Sequence, residues 1–254
     1  MKRAALALAL ALGIPGRALA YRPFDQTDAD VAKHGEIELE VGPGQLLTHE
    51  GERQFVPSFV FNYGLVPGIE LVLDTQLFTP LAHPDASTFE AAPLVKLVLR
   101  RGVLQGGEGI SVATEWGALL PELPHGDALG GSAALIASDR FGPVTVHANA
   151  YAALTPEHAH QLMLGAIVEG PEAWPVRPVG EGWVQRLGDS NDASILGGVL
   201  WELGEGLILD AAVRVAREEG QLAGELRVGF TTSFSVLSGE PEPEESRPAS
   251  GGPR

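Results

Sequence analysis

Apolar and polar residues alternate at every second position along most of the chain, and this feature restricts the fold more than any other. "GEIELEV" places Ile37, Leu39 and Val41 on one face and three glutamates on the other. "GIELVLDTQLF" and "ELRVGFTTSF" alternate in the same way. A period of two is that of a β-strand with two unlike faces, and helical spacing does not fit these segments. The sequence therefore predicts an all-β protein.

Twelve segments of this kind follow one another, separated by turns in which glycine and proline recur; the chain has 32 glycines and 19 prolines. They cover residues 35–42, 53–63, 68–78, 88–100, 109–119, 129–138, 143–153, 159–169, 175–186, 192–201, 205–215 and 222–235. Ten residues tilted by about 45° span roughly 23 Å, which matches the apolar band of a transmembrane barrel. We expect an antiparallel transmembrane β-barrel of about twelve strands, with short periplasmic turns and both termini in the periplasm.

A soluble β-sandwich is the alternative, because alternation alone does not say which face meets water. The polar faces carry both signs of charge, which a closed lumen could pair and a solvated face would not need to. Three observations fit the barrel less well. "GGSAALIAS" and "ASILGGVLW" have no clear polar face, and Pro57, Pro93 and Pro178 fall inside predicted strands, where each removes a ladder hydrogen bond.

The first twenty residues have the layout of a secretory signal peptide: two basic residues, an apolar run from Ala4 to Ile14, and the small residues "ALA" before Tyr21. The predicted organisation is a signal peptide (1–20), a periplasmic lead-in or partial plug (21–34), the barrel (35–235) and a disordered, Pro- and Glu-rich tail (236–254). The net charge of −16 becomes −19 when Lys2, Arg3 and Arg17 leave with the signal peptide, which argues against nucleic acid as a partner.

Six longer motifs resemble a known family. They are "RPFDQTDADVAKHGEIELE", "KLVLRRGVLQGGEGISVATEWGALLP", "TVHANAYAALTPEH", "IVEGPEAWPVRPVGE", "LDAAVRVA" and "GELRVGFTTSF". In this order they are similar to the proteobacterial outer-membrane β-barrel proteins that resemble phenol meta-pathway (MetA-type) proteins and are often labelled transporters. The resemblance implies an exported outer-membrane barrel with a transport role and supplies no catalytic residues.

Charged and polar side chains on the predicted inner faces are the candidates for function, since such groups select solutes by charge and size. The predicted lumen-lining residues are Glu38, Glu70, Asp74, Glu90, Lys96, Arg100, His147, Arg177, Glu181, Asp210, Arg214 and Arg227. We expect a channel or transporter for small solutes, with hydrophobic or aromatic ones suggested by the resemblance alone. The alternative is a non-conducting structural or interaction barrel, in which the same charges fill and rigidify the lumen.

Asp25, Asp28 and Asp30 precede the first strand and are candidates for a plug that pairs with lumen arginines such as Arg177 or Arg227. Their spacing lacks the glycine and bidentate glutamate of a Ca²⁺ loop, so no metal site is predicted.

His147 and Asn149 share a face, as two members of a Ser-His-Asn hydrolase would, but the sequence places no serine beside them. His158 and His160 could supply only two ligands to a metal ion, too few for a metal site on their own. We therefore predict neither an enzyme nor a cofactor.

The end of the last strand resembles the signal that barrel-assembly machinery recognises, with Arg227, Gly229 and Phe234 at the matching positions and Thr232 where an apolar residue is usual. The expected partners are outer-membrane lipids, barrel-assembly and periplasmic chaperone machinery, and small solutes.

Overall fold

The computed structural model describes residues 22–49, 51–204 and 206–237. The predicted signal peptide and all but the first two residues of the predicted tail lie outside these ranges. Within them, the chain forms thirteen strands: β1 (Glu36–His49), β2 (Glu52–Phe55), β3 (Ser58–Val66), β4 (Ile69–Pro80), β5 (Thr88–Arg100), β6 (Ser111–Leu119), β7 (Gly130–Phe141), β8 (Val144–Leu154), β9 (His160–Glu169), β10 (Val176–Leu187), β11 (Ser190–Gly204), β12 (Leu207–Glu218) and β13 (Gln221–Ser235).

The strands form a closed barrel. From β4 to β13 each strand pairs antiparallel with its neighbours in the chain, and β13 pairs with β1 from Glu36 opposite Ser235 to His49 opposite Ala223. β2 and β3 both lie between β1 and β4 and form one crossing of the wall, interrupted at Val56 and Pro57. The wall therefore has twelve strands and no free edge. The predicted fold class is confirmed.

The two faces of the wall differ as the alternation predicts. Glu36, Glu38 and Glu40 of β1 are buried, whereas Leu71 and Leu73 of β4 are exposed. Because side chains of a strand point alternately to the two faces, one face of each strand turns into the barrel and the other turns outward. The inward face is rich in charged and hydroxyl groups, and the outward face is apolar.

Proline explains where the predicted strand limits differ from the observed ones. β1 continues seven residues beyond its predicted end, because a shift in register between Val41 and Gly44 accommodates Pro43. Pro57 produces the interruption between β2 and β3, and Pro93 lies within β5 on its exposed face.

The barrel has two distinct ends. We call the end where β1 begins and β13 stops the terminal end, and the opposite one the far end. Two single-turn 3₁₀ helices lie in the connections, Pro84–Ala86 at the far end and Val103–Gln105 at the terminal end. None of the helices in the described ranges is long and apolar enough to cross a membrane.

Candidate functional site

Residues 22–34, which we call the inner segment, lie inside the barrel. Arg22, Gln26, Asp28 and Ala29 are all buried, Ala29 completely. Ala29 packs against the inward-facing Ala113 and Ile136, and Phe24 packs against a second apolar cluster of Val179, Leu200 and Ile208. The inner segment therefore has apolar contacts with both sides of the barrel.

Arg22 joins the inner segment to three strands. Its backbone N–H donates to Glu40 Oε2 at 3.1 Å, and its Nη1 donates to Ser58 Oγ at 2.6 Å. Its Nε forms an ion pair with Asp210 Oδ2 at 3.3 Å. The predicted wall residue Asp210 is thus a partner of the inner segment.

Asp25 accepts from three wall side chains. Its Oδ1 lies 2.5 Å from Arg227 Nη2, and its Oδ2 lies 3.1 Å from Arg214 Nε and 2.7 Å from Trp183 Nε1. Burial opposes ionisation of this carboxyl, but the two guanidinium groups and the indole N–H outweigh it, so the pKa of Asp25 is lowered. Asp25 is therefore ionised in its seated position at neutral pH.

The same two arginines are also paired with wall carboxylates. Glu225 Oε2 lies 2.8 Å from Arg227 Nη2 and 3.3 Å from Arg214 Nη1. Arg214 further pairs with Glu218 at 2.5 Å, and its guanidinium lies 5.3 Å from the centre of the Trp183 ring. Neither arginine is left as an unpaired positive charge in the lumen.

Two predicted wall carboxylates hold the backbone of the inner segment. Glu181 accepts from the N–H groups of Asp25 and Gln26, both at 2.9 Å. Glu70 accepts from the N–H of Ala32 at 2.5 Å. The wall thus supplies acceptors to N–H groups that have no strand partner.

Lys96 and the remaining aspartates meet near the terminal end. Lys96 is buried, with its Nζ 3.6 Å from Asp28 Oδ1 and 3.1 Å from Thr27 Oγ1. Asp30 accepts from Gln105 Nε2 at 3.0 Å. Burial, with added repulsion from Asp28, raises the pKa of Asp30 to about 6.

Four glycines of the wall leave room for the inner segment. A Cβ at Gly42 or Gly229 would collide with the Arg22 side chain, and one at Gly165 would collide with Gln26. At Gly64 it would collide with the backbone of Lys33. At these positions any larger residue would displace the inner segment.

His147 has a serine beside it, which the sequence analysis did not foresee. Ser138 and His147 are opposite each other on β7 and β8, and His147 Nδ1 lies 2.8 Å from Ser138 Oγ. Glu169 Oε1 lies 3.3 Å from His147 Nε2, within ion-pair distance but without the angle of a hydrogen bond. Ser138 is fully buried, and its Oγ accepts from the Ala29 N–H at 3.0 Å. The serine is therefore a contact of the inner segment.

The other predicted lumen and plug residues are placed as follows. Arg177 pairs with Glu169 at 3.0 Å, not with the inner segment. Glu38 is buried in β1, Asp74 is half-buried in β4, and Glu90 is exposed near the far end. Arg100 is exposed at the terminal end of β5, after a register shift in its pairing with β6.

The predicted assembly-signal residues lie on β13. Gly229 lies next to the Arg22 side chain on the inner face of the wall. Phe234 is opposite Ile37 on β1. The paired histidines of the sequence analysis, His158 and His160, lie at the far end, and no group of three or more metal-ligating side chains occurs in the described ranges.

A chamber of about 560 Å³ lies between the inner segment and the far end. Arg22, Phe24, Asp25, Gln26 and Thr27 line it from the inner segment. Its wall combines charged side chains with apolar ones and is lined by Leu47, Asp74, Phe78, Glu115, Tyr151, Met163, Trp183 and Glu218, among others. A second hollow of about 290 Å³ shares Asp74 and Tyr151 with the chamber and adds Glu90, Glu122 and Glu157. The far end is thus an acidic mouth.

Arg22, Ser138 and Trp183 are important contacts that the sequence analysis did not single out. Arg22 stands only two residues after a predicted cleavage site, and Trp183 lies in "GWVQRLG", whose alternation is weak. Ser138 is opposite His147 because the observed turn between β7 and β8 has two residues, Gly142 and Pro143, whereas the predicted strand limits of 138 and 143 left a four-residue turn and another register.

No family model matches the chain, and no curated protein matches it. Solved structures do match in fold. An outer membrane channel from Pseudomonas putida F1 superposes with a TM-score of 0.62 at 10% identity, covering 83% of this chain and all of that one. The KdgM porin superposes with a TM-score of 0.53, also at 10% identity, over 78% of this chain and 99% of its own. The fold is therefore that of an outer-membrane channel-like β-barrel.

Proposed function

We propose that this barrel is an outer-membrane channel for small solutes, closed at its terminal end by the inner segment. The main support is the chamber, which extends toward the far end and is bounded on the other side by Arg22 to Thr27. Ion pairs of Arg22, Asp25 and Asp28 join the inner segment to the wall, so that movement of one short segment would change access through the whole lumen. The predicted lumen residues then act in two groups: seat residues such as Glu181 and Arg227, and chamber residues such as Asp74.

The chamber suits small solutes that are neutral or positively charged and partly apolar. Its aromatic and thioether groups, Phe24, Phe78, Tyr151 and Met163, agree with the hydrophobic or aromatic substrates that the family resemblance suggests. The KdgM porin has been solved in complex with oligogalacturonate, a polyanion. Such a ligand fits this chamber poorly, because its arginines are already paired with carboxylates.

The orientation follows from export. If residues 1–20 act as a signal peptide and the last strand is recognised by the barrel-assembly machinery in the periplasm, the terminal end faces the periplasm and the far end the cell exterior. A cysteine placed in the connection 120–129 should then react with an impermeant maleimide in intact cells, and one placed at Val236 should not. The chain has no native cysteine to interfere.

Planar-bilayer recording tests the channel. We expect low or intermittent conductance from the full mature chain and a large, steady conductance after deletion of residues 22–34. A heat-modifiable gel shift of the deletion variant is the control that its barrel has folded. If the folded deletion variant is as silent as an empty bilayer, the alternative of a non-conducting structural barrel is correct.

The dense seating of the inner segment is the observation that favours this alternative, since a permanent plug would look the same. We also infer that the barrel is not a hydrolase, because Ser138 is fully buried and engaged by Ala29. Ester hydrolysis that is present in the purified protein and lost in His147→Ala would overturn this inference.

A further inference from the structure

The outer surface of the wall carries a groove of about 1080 Å³ whose lining extends from β5 to β12. Its floor is formed by small side chains on β7 and β8: Ala133 is opposite Ala152, and Ala150 is their neighbour on β8. Taller side chains bound it on both sides, Trp116 and Leu135 on one and Leu162 and Leu164 on the other. The floor and both sides are apolar and face outward, where the wall of an outer-membrane barrel meets lipid chains.

The groove ends at a cluster of polar side chains, as the strand register shows. The cross-strand row that contains the floor runs from Trp116 through Ala133, Ala152 and Leu162 to Arg186 and Asn191. In the next row, Val184 and Ala193 lead to Arg217. Both arginines and Asn191 line the groove. Each stands one residue from the far end of its strand. In an outer-membrane barrel the strand ends lie near the lipid headgroups.

The two arginines are available to a ligand. Arg186 donates through Nε to Gly188 O at 3.2 Å, and within the described ranges neither guanidinium lies within ion-pair distance of a carboxylate. Positive side chains on the lipid-facing surface are costly unless an anion compensates them. A protein with a net charge of −16 nevertheless keeps two of them beside an apolar groove.

We propose that this groove binds lipid A, the bisphosphorylated, multiply acylated glycolipid of the outer leaflet. One acyl chain lies over Ala133, Ala150 and Ala152, and a phosphate is held by Arg186 and Arg217, with Asn191 as a further donor. Guanidinium groups bind phosphate through paired hydrogen bonds, and burial of an acyl chain against the groove adds apolar contact area. The proposal rests on the orientation proposed above, with the far end outside, and does not depend on conduction.

Native mass spectrometry of the detergent-solubilised mature protein tests the site, with lipid A as the probe. We expect one tightly bound lipid A per barrel. Arg186→Gln/Arg217→Gln should weaken binding roughly 30-fold, because each arginine near an anionic lipid surface contributes about a fivefold factor. Ala152→Phe should weaken it by filling the groove with both arginines intact.

Matched controls separate the site from general effects. Arg53→Gln removes another exposed arginine near the far end, and Ala211→Phe enlarges another exposed alanine of the outer wall; neither residue lines the groove, and neither change should alter binding. Asp189 and Glu219 lie in the adjoining turns and could hold lipid A through a bridging divalent cation. The lipid-binding measurement therefore includes EDTA.

Two results would overturn the proposal. One is equal binding by the double-arginine variant and the native protein. The other is equal binding of phosphatidylglycerol or dephosphorylated lipid A, which would reveal a general affinity for lipid chains. The lipid-binding experiment is independent of the bilayer recording. A barrel that conducts no current in bilayers but binds lipid A would refute the proposed channel and support the lipid site.

Discussion

Individual glycines of the wall determine whether the inner segment fits. Gly165 lies on β9 directly under the amide of Gln26, whose backbone N–H is held by Glu181. A strand gains stability from a larger residue in general, since glycine is a weak strand former. At Gly165 this gain in strand stability would be opposed by collision of the new side chain with the inner segment. A substitution at Gly165 therefore tests whether the inner segment needs this space.

Gly165→Leu should displace the inner segment without preventing barrel formation. Overpacking of this kind costs about 1–3 kcal/mol, which corresponds to a roughly 5- to 150-fold rise in the unseated population. The measurement is the rate at which a single cysteine at Val31 reacts with a bulky maleimide. Gly197→Leu is the matched control, because a Cβ there has no neighbour within 4 Å. Unchanged labelling in Gly165→Leu would show that the inner segment does not depend on this space.

At the level of strands, the sequence was most informative where inward residues are charged. β1 and β4 were recognised from their alternating carboxylates. β7 and β11 lacked a polar face, and the structure explains why: Ile136 and Leu200 turn inward to meet Ala29 and Phe24 of the inner segment. Alternation failed there because a neighbour remote in sequence makes an apolar inward residue favourable.

The partners of the candidate site were harder to predict than its members. Most of the predicted charges are buried in the barrel, but which carboxylate meets which arginine depends on how residues 22–34 fold across the lumen. Arg227 pairs with Asp25, as one of two options considered, whereas Arg177 pairs with Glu169. The pair of Arg177 and Glu169 could have been predicted only with the pairing register of β8, β9 and β10 in hand.

The inner segment should respond to pH through Asp30. Its pKa in the seated state, about 6, is above its usual value near 4, so the seated state is relatively most stable below pH 4 and loses this contribution as pH rises through 6. Asp28, Lys96 and Gln105 are among the polar groups near this carboxyl. The lowered pKa of Asp25 acts in the opposite sense, with stability lost only in stronger acid.

Labelling of the Val31 cysteine should therefore be faster than in an Asp30→Asn variant by about 100-fold at pH 8 and by only about tenfold at pH 5, because a difference of about two pKa units between the two states is expressed in full only above pH 6. Comparing the two proteins at each pH removes the intrinsic pH dependence of the thiol reaction. Equal rates at pH 8 would mean that Asp30 carries no destabilising charge in the seated state.

The interior of the barrel contains more acidic than basic side chains. Among the described strand residues, eight buried carboxylates, from Glu36 to Glu225, face three buried cations, Lys96, Arg214 and Arg227. Each of these cations forms an ion pair within the barrel. The acidic mouth adds Asp74, Glu90, Glu115, Glu122 and Glu157, so a solute that enters from the far end meets more carboxyl groups than cationic ones.

An open lumen should therefore prefer cations. In a KCl gradient, the variant lacking residues 22–34 should give a reversal potential on the cation side, with a K⁺ to Cl⁻ permeability ratio of several-fold. Replacing Asp74 and Glu115 by their amides should lower this ratio by about two- to fivefold, because the two carboxyls line the chamber. Glu108→Gln, an exposed change in the connection between β5 and β6, should leave it unaltered. A preference for chloride in the deletion variant would show that the paired arginines, once the inner segment leaves, outweigh the carboxylates of the wall.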